Sequence, residues 1–581
     1  MIFIGEILMK IFKKLLPYWK DILIVTITLF LNVLGTLLIP RMTVNIINIG
    51  VLGGDLAYIK SQGLTMVLIS LMASIFMIIS VKFATKVATS FAADLRLELF
   101  KKVQDLSINQ FESFSSSSLI VRATDDVNQL QGFVRIGLRV LLRSPLMFIG
   151  AIFMALSTNL KLSTVFIVTL PLTMLVIVVF AKKMLPISKD LRLALDKITQ
   201  AFRQRLAGIR VIKAFNMEGY EEENFSKINT SYTDLFKKAG DYTAVFGPMI
   251  GLIMNLTLVA IVYFASKLIL AEAMQVGDLV GFIQYATSIM LSFLFFSMII
   301  SQLPRAQASL ERINEVLDLE ADRLSSGTEI LDSIESLEFK NLTFTYPGAR
   351  LPSLQNISFK IQKGMRLGII GSTGSGKTTL ASLLVRFYDP DSGEILINGK
   401  NIKDYEIKSL RDKISYTEQK PSLIAGTVAD NILMGDDLDF KEDIIEALNI
   451  AQADFVIKRD QGICSEVAQR GRNFSGGQQQ RISIARAVYK KPDLYLIDDS
   501  FSALDYKTDK ALRKDLYENS KDSLMVLITQ RASVVFDADL IVLLDNGKML
   551  AAGSHEELQE ISPEYREILE SQDFKAGDLN G

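Results

Sequence analysis

Six charge-free apolar runs punctuate the N-terminal half of this chain, at residues 22–39, 64–81, 144–160, 162–181, 242–266 and 279–303. A helix rising ~1.5 Å per residue needs about 17–25 residues to cross the hydrocarbon of a bilayer, and every run meets that length. The competing reading is one large buried helical core, but a soluble protein rarely needs six runs of this length. The first run has no convincing small-residue cleavage site and is followed by Pro40-Arg41, so it reads as a span and not a cleaved leader. Composition supports a chain of two characters. With 49% hydrophobic and 22% charged residues it is too apolar for an ordinary soluble enzyme and too charged for a wholly embedded one.

Basic residues set the orientation. Lys10, Lys13, Lys14 and Lys20 precede the first span, and the long connections 82–143 and 182–241 are rich in Lys and Arg. The alternate connections hold only Arg41 and Lys60, then Lys161, then Lys267. The positive-inside rule therefore places both termini and the long connections on the cytoplasmic side of a cell membrane. Those connections contain few glycines and many helix formers, as in 92–100, and read as membrane helices continuing into the cytosol. Tyr18 and Trp19 read as interface anchors.

Residues 1–319 thus form a six-span helical domain, 320–335 a polar linker, and 336–581 a soluble domain. In the last, short strands at 336–344, 366–370, 494–497 and 524–528 are separated by helical stretches, which implies an α/β fold. This soluble half is acidic, unlike the basic surface of a nucleic-acid binder. One cysteine, Cys464, excludes an internal disulfide framework, and one histidine, His555, argues against His-rich metal chemistry.

The second of those strands runs into Gly371-Ser372-Thr373-Gly374-Ser375-Gly376-Lys377-Thr378-Thr379, which fits G-x-x-x-x-G-K-[ST]. Glycines let the backbone curl so that its N–H groups face phosphate oxygens, and the helix that follows adds the positive end of its dipole. Lys377 reaches the terminal phosphates and the Thr378 hydroxyl can ligate Mg²⁺. Asp498-Asp499 ends the strand at 494–497, where a carboxylate can hold Mg²⁺ through water. Between the two lies Phe474-Ser475-Gly476-Gly477-Gln478, leading into an Arg-containing helical run.

In this order and spacing the chain resembles a half-size ABC exporter, and the resemblance covers nearly its whole length. It implies six transmembrane helices followed by a P-loop ABC nucleotide-binding domain that uses ATP and Mg²⁺. Residues 371–378 resemble Walker A, and 474–478 resemble the signature, with Phe474 in place of Leu. Asp498 matches the Walker B aspartate. Gln419 matches the Q-loop residue and would join Thr378 and Asp498 at the metal. Residues 502–505 match the D-loop, ending in Asp505. Tyr346 stands where the family stacks an aromatic on adenine. Residues 465–471 are similar to the exporter x-loop, and 208–215 to the segment before the second coupling helix. Residues 111–118 hold either the first coupling helix or a plain cytosolic turn.

Two departures from the family fall on the chemistry. The family places Glu after the Walker B Asp as general base; this chain has Asp499, shorter by a C–C bond of ~1.5 Å. It also places a switch His after a later strand, where this chain has Gln530, which hydrogen-bonds but carries no proton or charge. His555 lies well past that point in a surface-like segment. Asp499, Gln530 and Asp505 are thus the catalytic positions of a site expected to bind ATP but hydrolyse it weakly. ABC sites form between two domains, so the expected partner is a second half-size chain that carries the Glu and the His. Its site would be completed by the signature of this one. The resemblance narrows to the degenerate-site subunit of a heterodimeric bacterial multidrug-type exporter.

For the substrate, Asn255 and Gln284 are polar within spans five and six, and Met290 and Phe293 suit a deformable apolar cavity for small amphipathic compounds. Three classes stay open: a drug or lipid exporter subunit, an exporter of a specific lipid or peptide, and a non-transporting ATP-binding regulator.

Overall fold

The computed structural model describes residues 13–320, 327–435 and 441–572. The chain divides into two compact units, Met1–Val103 with Ser116–Leu319, and Gln104–Ser115 with Glu320–Gly581.

In the first unit each apolar run lies in a long helix: α1 Trp19–Asn45, α2 Leu56–Asp105, α3 Val127–Thr158, α4 Val165–Ala207, α5 Glu218–Leu270 and α6 Val276–Leu317. Among the described residues six helices are long and apolar enough to cross a membrane. The helices outrun their apolar stretches, α2 reaching 50 residues and α5 53, so the polar connections are continued helix, as their composition suggested. Leu68, Leu71, Ile75 and Ile78 of α2 are exposed, a row that would be costly in water and suits lipid. Pro145, Pro171 and Pro248 lie inside helices, as lipid-embedded segments tolerate.

The second unit is built on one ten-stranded sheet. Its strands are β1 Ser336–Phe344, β2 Leu354–Gln362, β3 Arg366–Gly371, β4 Ser392–Ile397, β5 Lys400–Asn401, β6 Ile414–Thr417, β9 Leu494–Asp498, β10 Leu524–Thr529, β11 Leu540–Asp545 and β12 Lys548–Gly553. Strands β7 Gly426–Thr427 and β8 Glu466–Val467 form a separate pair. The order is β5-β4-β1-β2-β12-β11-β3-β10-β9-β6. β11, β3, β10, β9 and β6 run parallel, and β1, β2 and β4 form an antiparallel wing. β10 is buried along its whole length, which explains its unbroken Leu-Met-Val-Leu-Ile sequence. Because β3, β10 and β9 are parallel neighbours, their C-terminal ends bring Gly371, Thr529 and Asp498 to one edge, where α/β sheets bind ligands.

Two expectations change here, and the alternatives left open for 111–118 meet a helix that covers part of that stretch. Residues 111–118 are not one element. A helix spans Ile108–Ser113, closed by a Ser107–Gln110 capping box, and Phe114 is extended before the next helix, Ser116–Val121. That first short helix belongs to the second unit, where the Tyr388 hydroxyl donates to Glu112 Oε2 at 2.9 Å. Within the expected linker, 321–326 lie outside the described residues, but Leu331 and Ile334 are buried in the core formed with β1 and β2. Two apolar side chains in a polar stretch suffice to seat that part on the sheet. His555 is not at the surface: it is buried, its Nδ1 lies 2.9 Å from the Tyr565 hydroxyl, and Phe536 packs on its ring.

Candidate nucleotide site

The loop between β3 and α7 (Lys377–Leu384) curls through Gly374 and Gly376 at φ +83° and +99°. A Cβ on Gly376 would also stand 2.7 Å from the Ser353 carbonyl oxygen, so a side chain is excluded twice over. Lys377 Nζ donates to the carbonyl oxygens of Gly371 at 2.9 Å and Ser372 at 2.7 Å, arching over the loop. Burial holds its pKa below the ordinary lysine value, and the charges of Asp498 and Asp499 work against that shift. Beside the loop, Tyr346 is half-buried; its hydroxyl donates to Thr379 Oγ1 at 3.3 Å and its ring meets Tyr388 edge-on.

Asp498, at the end of β9, is 2% exposed. Burial pushes its carboxyl above the usual range, more than the Thr378 hydrogen bond and the Lys377 charge pull it down. Its Oδ2 is buried without a hydrogen-bond partner among the described residues. An orphaned carboxylate oxygen beside a threonine hydroxyl fits a hard cation with oxygen ligands. Thr378 and Asp498 would hold Mg²⁺ here, with Gln419 on the same cleft. The ion supplies positive charge that offsets the phosphates.

Asp499 adopts a left-handed conformation, φ +45°, and its N–H donates to the Ile528 carbonyl at 2.7 Å. That turn sets its carboxylate between two donors, Gln419 Nε2 at 3.3 Å and Thr529 Oγ1 at 3.4 Å. Gln530 Oε1 accepts from Thr373 Oγ1 at 3.2 Å. Gly374, Lys377, Thr378, Gln419, Asp498, Asp499 and Gln530 therefore line one cleft of about 480 Å³. Pro352, Asn546 and Gly547 line it too. The sequence reading missed these three; Asn546-Gly547, a hairpin dipeptide between two apolar runs, was the signal available.

The signature and Asp505 are not on this cleft. Ser475 caps α8 (Gly476–Tyr489) in a capping box with Gln478, which leaves its hydroxyl proton unused by that contact. Phe474 is buried against Phe455 with the Arg459 guanidinium over its ring at 4.1 Å, a pocket that an aromatic fills well. A Cβ on Gly477 would stand 2.9 Å from the Ala503 carbonyl, whereas one on Gly476 meets nothing within 4 Å. Asp505 is the N-cap of α9 (Tyr506–Asn519), with its oxygens engaged by the Thr508 N–H at 2.9 Å and hydroxyl at 2.8 Å. That hydrogen bonding holds its pKa below the ordinary carboxylate value.

In the membrane unit the four substrate candidates do not share one environment. Asn255 of α5 is exposed in the single chain. Gln284 is half-buried, Met290 is buried, and Phe293 lies against Phe148 at 6.1 Å between ring centroids.

A family model of the ABC transporter transmembrane region matches residues 22–293, and one of the ABC transporter matches 354–502. The uncharacterized ABC transporter ATP-binding protein YfiB of Bacillus subtilis is 35% identical over 98% of this chain and 99% of its own length. An ATP-dependent lipid A-core flippase of Pseudomonas fluorescens is 32% identical over 87% of this chain and 84% of its own. Among solved structures, a bacterial Atm1-family ABC exporter with ATP bound matches with TM-score 0.78 at 23% identity, covering 96% of this chain and 99% of that one, a likeness of fold.

Proposed function

The chain belongs to the ABC transporter family, as an ATP-driven exporter with a six-helix membrane unit and an ATP-binding unit, and from that premise we propose that it serves as the hydrolysis-impaired subunit of a two-chain exporter. One observation carries the proposal: an intact phosphate and metal cradle stands beside an altered pair. Lys377, Thr378 and Asp498 keep the geometry of binding, whereas the short carboxylate of Asp499 is held by Gln419 and Thr529 and Gln530 has no titratable proton. Displacing a reacting group by about 1 Å can cost ~10²-fold in rate. A partner chain with Glu and His at these positions would hold the working site, and Ser475 with Gly476 would face its nucleotide.

The cargo on this reading is a small amphipathic compound met by Gln284, Met290, Phe293 and, from the exposed face of α5, Asn255. The 32% identity to a lipid A-core flippase favours a lipid-like cargo over a peptide. Steady-state ATP hydrolysis by the purified chain, alone and with a partner bearing Glu and His, tests the division of labour. The chain alone is expected to be slow and the pair fast and vanadate-sensitive. Brisk turnover by a verified homodimer would refute the proposal.

A further inference from the structure

The ATP-binding unit has a second cavity, of about 250 Å³, which shares no lining residue with the nucleotide cleft. It lies among the helix Lys441–Ile450, the C-terminal ends of α8 and α9, and the start of β9. Tyr495, near the start of β9, lines it and is only 4% exposed. The Tyr495 hydroxyl has no hydrogen-bond partner among the described residues. Burial pushes its pKa up to about 12, so it keeps its proton and can donate as well as accept. A buried hydroxyl left without a partner is costly unless something reaches it.

The charged lining of this cavity is net negative. Asp443 and Glu446, one turn apart on the helix Lys441–Ile450, meet a single ammonium, that of Lys491. Lys491 Nζ donates to Asp443 Oδ1 at 3.0 Å and stands 3.9 Å from Glu446 Oε2. α8 and α9 both end here, and helix C-termini carry partial negative charge. Lys491 itself follows α8 in a left-handed conformation, φ +46°, with its N–H donating to the Val488 carbonyl at 3.0 Å. That cap position usually takes glycine; a lysine accepts strain there and sets its ammonium beside the cavity. Its side chain is exposed, and exposed ion pairs contribute little, so another cation can take its place at small cost.

We propose that this cavity binds a small organic amine. The ammonium would meet Asp443 and Glu446 in exchange for Lys491, the apolar body would lie against Ala447 and Val488, and a polar group at the other end would reach the Tyr495 hydroxyl. Cavities for drug-sized ligands run ~300–1,000 Å³, so this one takes a smaller body, a single ring. The site is separate from the cargo and from the nucleotide. α8 carries Ser475 at its opposite end and β9 carries Asp498 at its own, so an amine held here touches both elements that build the ATP chemistry.

The test uses the full chain in nanodiscs of zwitterionic lipid, with affinities from ligand-observed NMR titration. The probes are tyramine, phenethylamine and 3-(4-hydroxyphenyl)propionate, which share one ring and differ in the hydroxyl or the charge. Tyramine is expected to bind tightest. Phenethylamine should bind about tenfold more weakly, the scale of a hydrogen bond to a buried group. The propionate should bind at least about tenfold more weakly, because its carboxylate faces two others. Tyr495→Phe should bring tyramine down to the level of phenethylamine. Lys491→Gln should tighten tyramine severalfold, a gain that a folding defect does not produce. Mg-ATP binding, which uses none of these residues, checks that each variant is folded. Equal binding of the three probes overturns the site, as does tighter binding of the propionate. Tyramine affinity unchanged in both variants also overturns it, and so does the absence of saturable tyramine binding. If Tyr495→Phe fails to fold, the wild-type probe series and Lys491→Gln still decide.

Discussion

Gln572 clamps the loop that begins at Gln530. Its Nε2 donates to the Gln530 carbonyl at 2.8 Å, and its Oε1 accepts from the Ala532 N–H at 3.0 Å. The amide stands just past the last helix, Pro563–Ser571, so one end of the chain holds the backbone of a nucleotide-site residue. Gln572→Ala removes both hydrogen bonds, each worth about 1 kcal/mol. Release of a bound fluorescent ATP analogue from this chain's own site should quicken severalfold. An unchanged release rate would mean that the loop holds its position without the clamp.

Gly476 and Gly477 separate two effects that the sequence alone merges. Any side chain at Gly477 first meets the Ala503 carbonyl inside this chain, while Gly476 opens to empty space. Gly476→Glu is therefore the cleaner way to place a negative charge where a partner's phosphate would lie. In the assembled pair it should lower ATP hydrolysis by about 10²-fold or more, the scale of losing a preorganised phosphate donor. ATP binding to this chain's own loop should persist. Near-normal turnover would show that the competent site does without this signature.

Restoring the family residues should need both changes. Asp499→Glu alone lengthens the carboxylate but leaves Gln530 uncharged, so turnover by the chain alone should rise little. With Gln530→His added it should rise by about 10²-fold, the lower end of what a positioned general base supplies. Single-turnover hydrolysis of the purified variants measures this. A full gain from Asp499→Glu by itself would assign the defect to that residue only.

Asp498 links metal binding to stability. Burial raises its pKa in the folded state, so folding takes up a proton. The resulting stabilisation is present below the unfolded pKa and is lost as pH rises through the raised, folded one. Above that raised pKa the buried carboxylate carries an unfavourable charge that Asp498→Asn removes. The variant should melt at a higher temperature than wild type at neutral pH, with the gap closing on mild acidification. Mg²⁺-dependent ATP binding should be lost at the same time. A lower melting temperature at neutral pH would mean that the Thr378 and Lys377 interactions outweigh burial.

What could be read from sequence followed the range of each signal. Six long apolar runs and the Gly371–Thr378 loop are local patterns with local causes, and each fell in the expected element. The burial of His555 is not local. Its neighbours Ser554, Glu556 and Glu557 look like surface, and only Tyr565 and Phe536, brought in by the fold, make its pocket. The capping by Asp505 is local, since Thr508, three residues on, supplies the donor. The Gln572 clamp had no sequence signal, since a glutamine near a chain end is usually solvated. The exposure of Asn255 reflects which side of α5 meets other helices, and apolar residues all around a membrane helix conceal that choice.

Ile108–Ser113, made early in synthesis, belongs to a unit whose other residues come much later. Glu112 accepts from Tyr388 across a separation of 276 residues. At ~5–20 residues per second, the ribosome needs roughly 15–60 s to span that gap. During that interval the short helix has no seat, and Ile108, which packs against the core of the second unit, is uncovered. The ATP-binding unit cannot mature in strict order behind the membrane helices. Its final shape waits on a piece of chain already delivered, and a slowly translated stretch between them would prolong the time that piece stands alone.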